Sequence, residues 1–261
     1  MNIHSEYCFL PEGAVLPDET VKVLGITPEG FYFLIHQQNV VQYALLGSCP
    51  SDDDHNIIQE ISTRKPEWRI GEINNVLLLP ESSVLIPNDL LNRSTEKELI
   101  GFCQVLPADY HLMKTKVDWA DASLVSVVST KTADTLKNVS QHLRFEDLAA
   151  AWLNKISQQG IHAFISASRF YISVLNDGKL QLFNTFSYTD KNDFLYYLLG
   201  AVKSCNIEPS TTQIAICGEI SPASPLAQSL ENYFGAVLYD AVPSNGSPEE
   251  RMLSSMLFPL F

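Results

Sequence analysis

One order of elements occurs twice in this 261-residue chain, and the repetition constrains the fold more than any single motif. From Ala163 to Phe234 the sequence predicts strand, turn, strand, tight turn, strand, long helix, strand, loop, helix. Strands are expected over Ala163–Ser166, Phe170–Leu175 and Leu180–Phe186, where aromatic and branched residues concentrate. Asn176-Asp177-Gly178 marks a hairpin, because a primed turn needs positive φ angles that these residues tolerate. Asp190 or Asn192 can cap a helix running through Phe194, Leu195, Leu198, Leu199 and Val202. Ile214–Cys217 reads as a short buried strand, Gly218-Glu219 as a turn, and Pro225–Phe234 as a helix.

The same order recurs, more faintly, from Lys22 to Leu91. Its strands are Lys22–Ile26, Phe31–His36 and Val40–Leu46, with Thr27-Pro28-Glu29-Gly30 as the first turn. Asp54 is placed to cap a helix over His55–Thr63, which Pro66 ends. Val76–Leu79 has the continuous apolar character of a strand buried on both faces. Val84–Ile86 extends the region, and Asn88 starts a helix towards Phe102. Residue matches favour duplication over coincidence between two βββαβα runs. Phe31-Tyr32 matches Phe170-Tyr171, and Gln42 matches Gln181. Asn75–Leu79 with Pro80-Glu81 matches Gln213–Cys217 with Gly218-Glu219, and Pro87 and Pro225 each precede a helix.

The intervening stretch predicts strands at Tyr110–Val117 and Leu124–Val128 and helices at Thr132–Gln141 and Phe145–Ile156. In the second helix Leu148, Trp152 and Ile156 recur at helical spacing, and Gly160 suits the αL position just beyond its end. Residues 1–20 read as an irregular or edge segment. Glu249–Leu257 reads as a last helix whose Met252, Leu253 and Met256 dock on the core. The domain boundaries expected are 1–158 and 159–261.

Composition narrows the function classes. Hydrophobic residues at 46% and charged residues at 18% describe a folded chain. A net charge of −13 without a basic cluster argues against nucleic acid as a partner and against docking on an anionic membrane. The start lacks a basic region followed by an apolar run, and the apolar runs are too short to cross a bilayer. A cytoplasmic protein with no direct membrane insertion is expected. Five widely spaced cysteines, an odd number, suit reduced and mostly buried thiols. No CxxC or HxxxH pairs zinc ligands, and neither GxxxxGK[ST] nor GxGxxG is present. His36 and His162 flank strands and read as structural histidines.

A three-stranded meander, a helix, a buried strand and another helix, present twice, resembles the plan of the actin-like ATPases. That superfamily includes actin, sugar kinases, the large heat-shock chaperones and an actin-like protein of type IV pilus assembly. The second half also resembles a bacterial family, domain of unknown function 3822. Leu182-Phe183-Asn184-Thr185-Phe186, Asp193-Phe194-Leu195-Tyr196-Tyr197-Leu198-Leu199 and Cys217-Gly218-Glu219-Ile220 carry that resemblance. It implies an α/β protein with a duplicated actin-like ATPase (ribonuclease H-like) fold. Each of the two subdomains would have a mixed sheet flanked by helices, with a cleft between them.

In the superfamily each half contributes a hairpin whose first strand ends in Asp-x-Gly. The glycine lets backbone N–H groups approach phosphates, and the aspartates hold magnesium. The matching positions here are Gly25-Ile26-Thr27 and Ser166-Ala167-Ser168, with no carboxylate at either. Glu29 on the first turn is a replacement acid or a solvated turn residue. Arg169 meets a phosphate or an acidic partner, or is solvated. Of the superfamily's glycine pair only Gly218 remains, ahead of Glu219. It allows a ligand to approach or only turns the chain. Thr27, Glu29, Gly30, Ser166, Ser168, Arg169, Gly218 and Glu219 thus outline a degenerate nucleotide cleft.

Tyr196-Tyr197 belongs to a buried helix or exposes one tyrosine at an interface. The leading expectation is a non-catalytic binding or scaffold protein with a protein partner and no cofactor. One alternative is a divergent ATPase or phosphotransferase using ATP and magnesium. Another, by analogy with the pilus protein, is a cytoplasmic subunit of a membrane-associated assembly.

Overall fold

The computed structural model describes residues 2–9, 20–27, 30–38, 40–48, 63, 73, 75–80, 82–130, 132–134, 144–156, 158–240, 247–256 and 258–260. The chain forms two compact units, Met1–Lys116 with Ser123–Ala150, and Val117–Ala122 with Ala151–Phe261. Among the described residues no helix is long and apolar enough to cross a membrane.

The first unit is built on β1 (Asn2–Cys8), β2 (Val21–Thr27), β3 (Gly30–Gln37), β4 (Val40–Ser48) and β5 (Asn75–Leu78). An insertion follows, with β6 (Ser82–Pro87), α1 (Asn88–Leu91), α2 (Glu96–Cys103), β7 (Tyr110–Val117) and β8 (Ala122–Ser129). The chain then returns through β9 (Arg144–Asp147) into α3 (Leu148–Lys155). The main sheet has the order β1-β4-β3-β2-β5-β9, and β6-β8-β7 form a separate small sheet. β1 to β4, β4 to β3 and β3 to β2 are antiparallel, while β2 to β5 and β5 to β9 are parallel.

The second unit comprises β10 (Gly160–Ile165), β11 (Arg169–Asn176), β12 (Lys179–Ser187), α4 (Lys191–Ser204), β13 (Gln213–Gly218), α5 (Pro225–Leu230), β14 (Ala236–Tyr239) and α6 (Pro248–Met256). Its sheet runs β12-β11-β10-β13-β14, antiparallel through β10 and parallel beyond. With β1 set aside, order and sense are the same in both sheets. Asp177 and Gly178 take the positive φ of the expected hairpin turn. Asp190, rather than Asn192, caps α4 by accepting from the N–H groups of Asn192 and Asp193.

Alternation sets the cores. Leu24, Ile26, Phe31, Phe33, Ile35, Tyr43 and Leu45 share one face of the first sheet with Val76 and Leu78. Ile161, Ala163, Ile165, Phe170, Ile172 and Val174 do the same in the second, under Phe194, Leu195 and Leu198 of α4. On the opposite faces one cross-strand pair is filled in two different ways. Phe164 faces Tyr171, with ring centres 6.5 Å apart. In the first unit Gly25 faces Tyr32, and a Cβ on Gly25 would fall 1.9 Å from that ring. The tyrosine thus covers a bare stretch of backbone, as aromatic residues do beside strand glycines.

Several sequence expectations are corrected. The helix expected over Phe145–Ile156 begins only at Leu148, because Arg144–Asp147 pairs with the edge of β5 as a strand. Gly160 opens β10 with φ 132° and caps nothing. The helix expected from Asn88 is two helices, and a Thr95–Glu98 capping box starts the second. Leu78 pairs with Ile26 as Gly218 pairs with Ile165, so Leu78-Leu79, not Pro80-Glu81, stand where Gly218-Glu219 stand. Of the described cysteines only Cys217 is buried, while Cys8 and Cys103 are exposed. The helix expected at His55–Thr63 (all but Thr63), its Asp54 cap and residues 135–141 lie outside the described residues.

Asp147 joins β9 to α3. It is fully buried, accepts from the N–H groups of Ala149 and Ala150 at 2.8 and 3.1 Å, and accepts from the Ser126 hydroxyl. Burial pushes its pKa up to about 6 against the pull of those bonds. The folded state therefore holds a proton that the unfolded chain has already lost. The stability linked to Asp147 is fully present below the unfolded carboxyl value, near pH 4, and is lost as pH rises through about 6. Asp147→Asn keeps an oxygen for both N–H groups and removes this dependence. Urea titrations should show the variant gaining on wild type between pH 4 and 7 by on the order of 3 kcal/mol. Parallel pH profiles would contradict the desolvated carboxyl.

Candidate functional site

The two hairpin ends correspond strand for strand. In the first, Ile26 faces Phe31 and Thr27 faces Gly30. The Gly30 N–H donates to Thr27 Oγ1 at 3.1 Å, and that hydroxyl lies 3.4 Å from the Gly30 carbonyl. In the second, Ile165 faces Phe170, and the Ser166 N–H donates to the Arg169 carbonyl at 2.8 Å. Thr27 and Ser166 thus hold equivalent positions, and each offers a neutral hydroxyl where magnesium would want charged oxygen. Glu29 lies outside the described residues.

Around Ser166 the polar groups are turned inward. Its side chain is 1% exposed and its Oγ lacks a hydrogen-bond partner. Its carbonyl accepts from the Tyr188 hydroxyl at 2.6 Å, and the Ser168 carbonyl accepts from the Tyr188 N–H at 2.9 Å. Tyr188 therefore clamps the turn from β12's end. Arg169 and Glu219 are half-buried.

The candidate glycines answer to the backbone. A Cβ on Gly30 would sit 2.1 Å from the Gly47 carbonyl oxygen of β4. Gly218 has φ 101°, and a Cβ there would sit 2.1 Å from the Ile165 carbonyl oxygen. Real Cβ atoms do not approach that closely, and the angle itself disfavours any other residue. The strand-end turn alone thus requires glycine at 218. The amides of this turn are also committed. The Gly218 N–H donates to Ser255 Oγ at 3.0 Å, Glu219 N–H to Ile165 O at 2.7 Å, and Ile220 N–H to Gly218 O at 2.8 Å. Ser255 in turn donates to the Asp240 carbonyl at 3.1 Å.

Ser166, Ser168, Arg169, Gly218 and Glu219 thus gather at one end of β10 and β13, while Thr27 and Gly30 pair with each other in the first unit. Tyr188, Asp240 and Ser255 complete the second group. No local motif marks them, since each arrives from a distant part of the chain. His36 lies within β3, where burial lowers its pKa to about 4 and keeps it neutral near pH 7. His162 lies within β10, its Nε2 3.0 Å from the Gln158 carbonyl. Burial raises the Cys217 thiol well above its ordinary range, so it is no thiolate nucleophile. Among the described residues no three His, Cys, Asp or Glu side chains come together in a way that could hold a metal ion.

Gly218→Ala tests the backbone reading. It should cost about 2–3 kcal/mol, a melting temperature roughly 5–10 °C lower, measured by thermal unfolding monitored by circular dichroism. An unchanged melting temperature would return Gly218 to the list of ligand-approach glycines.

A Bacteroides thetaiotaomicron VPI-5482 protein with an actin-like ATPase fold and unknown function superposes with a TM-score of 0.65 at 15% identity, covering 90% of this chain and 95% of that one. A chain of the PilM–PilN type IV pilus biogenesis complex superposes with a TM-score of 0.57 at 11% identity, covering 93% and 97%. No curated protein matches the sequence. At such identities the likeness is one of fold, and the fold is that of the actin-like ATPases. The model of the family described as "Protein of unknown function (DUF3822)" matches residues 23–237, and the chain belongs to that family.

Proposed function

We infer that this protein is a cytoplasmic binding or scaffold protein that keeps the actin-like fold without its phosphate chemistry. One observation carries the reading. The N–H groups of Gly218, Glu219 and Ile220, together with those of Gly30 and Ser166, are bonded within the protein. The acids that would hold magnesium are replaced by Thr27 and by the buried Ser166. A phosphate would have to break existing bonds before gaining any, and neither Thr27 nor Ser166 brings a charged oxygen to balance its cation. The free cysteines suit a reducing compartment.

A subunit of a larger assembly is the second reading, favoured by the likeness to a chain of the PilM–PilN complex. A divergent ATPase or phosphotransferase is the competing enzyme.

Thermal unfolding with and without millimolar ATP and magnesium separates the first reading from the enzyme. Ligand at a hundred times its dissociation constant stabilises by about 2.7 kcal/mol, a shift of roughly 5–10 °C for a chain of this size. No shift is expected with ATP, ADP or GTP. A magnesium-dependent rise of that size would overturn the non-catalytic reading.

A further inference from the structure

His162 stands on β10 between Ile161 and Ala163, whose side chains enter the core under α4. Its own ring therefore points to the other face of the sheet, where Phe164 meets Trp152 of α3. Only 7% of the side chain is exposed. Both ring nitrogens face oxygen. Nε2 lies 3.0 Å from the Gln158 carbonyl, and Nδ1 lies 3.9 Å from Oδ2 of Asp240, just past β14.

A neutral imidazole carries one N–H and one lone pair, whereas a carbonyl and an ionised carboxylate only accept. Whichever neutral tautomer forms, a lone pair is set against oxygen, at Gln158 or at Asp240. The imidazolium alone presents an N–H to each. The other neighbours offer no substitute for that second donor. Ser173 faces His162 from β11 and Ala215 from β13, and both are uncharged. The Ser173 hydroxyl is buried and has no hydrogen-bond partner, so it does not donate to Nδ1. Cys217, two residues further along β13, is held as a neutral thiol by burial. Lys155 of α3 and Arg251 of α6, described cations of the neighbouring helices, are exposed. Asp240 is thus the charge that the ring meets. Burial penalises a cation, and the carboxylate and the carbonyl oppose that penalty.

Asp240 passes the effect on. Its N–H donates to the Ile216 carbonyl at 2.9 Å. Its own carbonyl accepts from Ser255 Oγ at 3.1 Å, and Ser255 Oγ accepts from the Gly218 N–H at 3.0 Å. We propose that His162 is a proton-operated latch on the end of β14 and on α6. Taking a proton from solvent at Nδ1, it draws in the Asp240 carboxylate and holds both elements to the sheet. Losing that proton releases them. The proton enters beside Asp240, whose side chain is 31% exposed. Histidine suits the task because its charge ordinarily changes between pH 5 and 8.

Nuclear magnetic resonance of the full chain carrying 13C-labelled histidine tests the latch, with His162→Gln identifying the His162 signal among six histidines. That signal should titrate between pH 5 and 8, and Asp240→Asn should weaken its proton binding about tenfold or more. Exchange of the Asp240 and Gly218 amides, corrected for intrinsic rate, should be several-fold slower at the acid end. His162→Gln keeps a donor for the Gln158 carbonyl without a titrating ring, and should abolish that difference while leaving Asp147 in place. If Asp240→Asn does not fold, the wild-type titration and the amide exchange decide. A His162 signal that does not titrate, a titration unchanged in Asp240→Asn, or amide protection indifferent to His162→Gln overturns the proposal.

Discussion

The second unit depends on one approach of backbone to backbone. Where β13 ends, the chain passes so near Ile165 of β10 that no side chain fits at Gly218. That closeness lets the Glu219 N–H reach the Ile165 carbonyl and turns the Gly218 N–H towards Ser255 of α6. Ser255 also holds the carbonyl of Asp240, just past β14. One hydroxyl therefore ties the C-terminal helix to the ends of two parallel strands. Each of these buried groups would cost about 1–3 kcal/mol if left without a partner. The turn is thus over-determined by the fold before any ligand is considered.

The first unit reaches the same strand order with a different lock. Leu78 takes the position of Gly218, and its neighbour Leu79 still donates to the Ile26 carbonyl at 2.8 Å. The fastening there comes from Asp147, which gathers two helix N–H groups and the Ser126 hydroxyl, itself 2.8 Å from Ser83 of β6. In one half a serine on a late helix closes the sheet's end. In the other a buried carboxyl joins the sheet to the insertion. Duplicated backbone has been kept while the polar groups that secure it have diverged.

Much of this architecture is legible in local sequence, because strands β2–β5 and β10–β13 are bounded by turn residues and carry concentrated branched and aromatic side chains. The edge strand beyond β5 and beyond β13 is not. Arg144–Asp147 and Ala236–Tyr239 are four residues each, too short for alternation to show, and are strands only because a parallel edge receives them. The register of the repeat at Asn75–Leu79 is not legible locally, because an apolar run slid by two residues presents the same faces to the core. The hairpin ends are legible from the missing carboxylates at Thr27 and Ser166. Tyr188 and Ser255 carry no local signal, because their roles exist only once distant segments meet. Asp147 was hidden inside an expected helix.

The pairing of Gly25 with Tyr32, set against Phe164 with Tyr171, bears on how the two halves can go on changing. In one arrangement a ring lies on bare backbone, and in the other two rings meet at an angle. No single substitution converts one into the other, since a side chain added at position 25 meets the tyrosine ring before that ring can leave. Such sites drift only in steps that involve both strands at once. The first half is therefore held to its glycine by a neighbour's geometry, an epistatic constraint that would persist however little the surrounding sequence mattered to function.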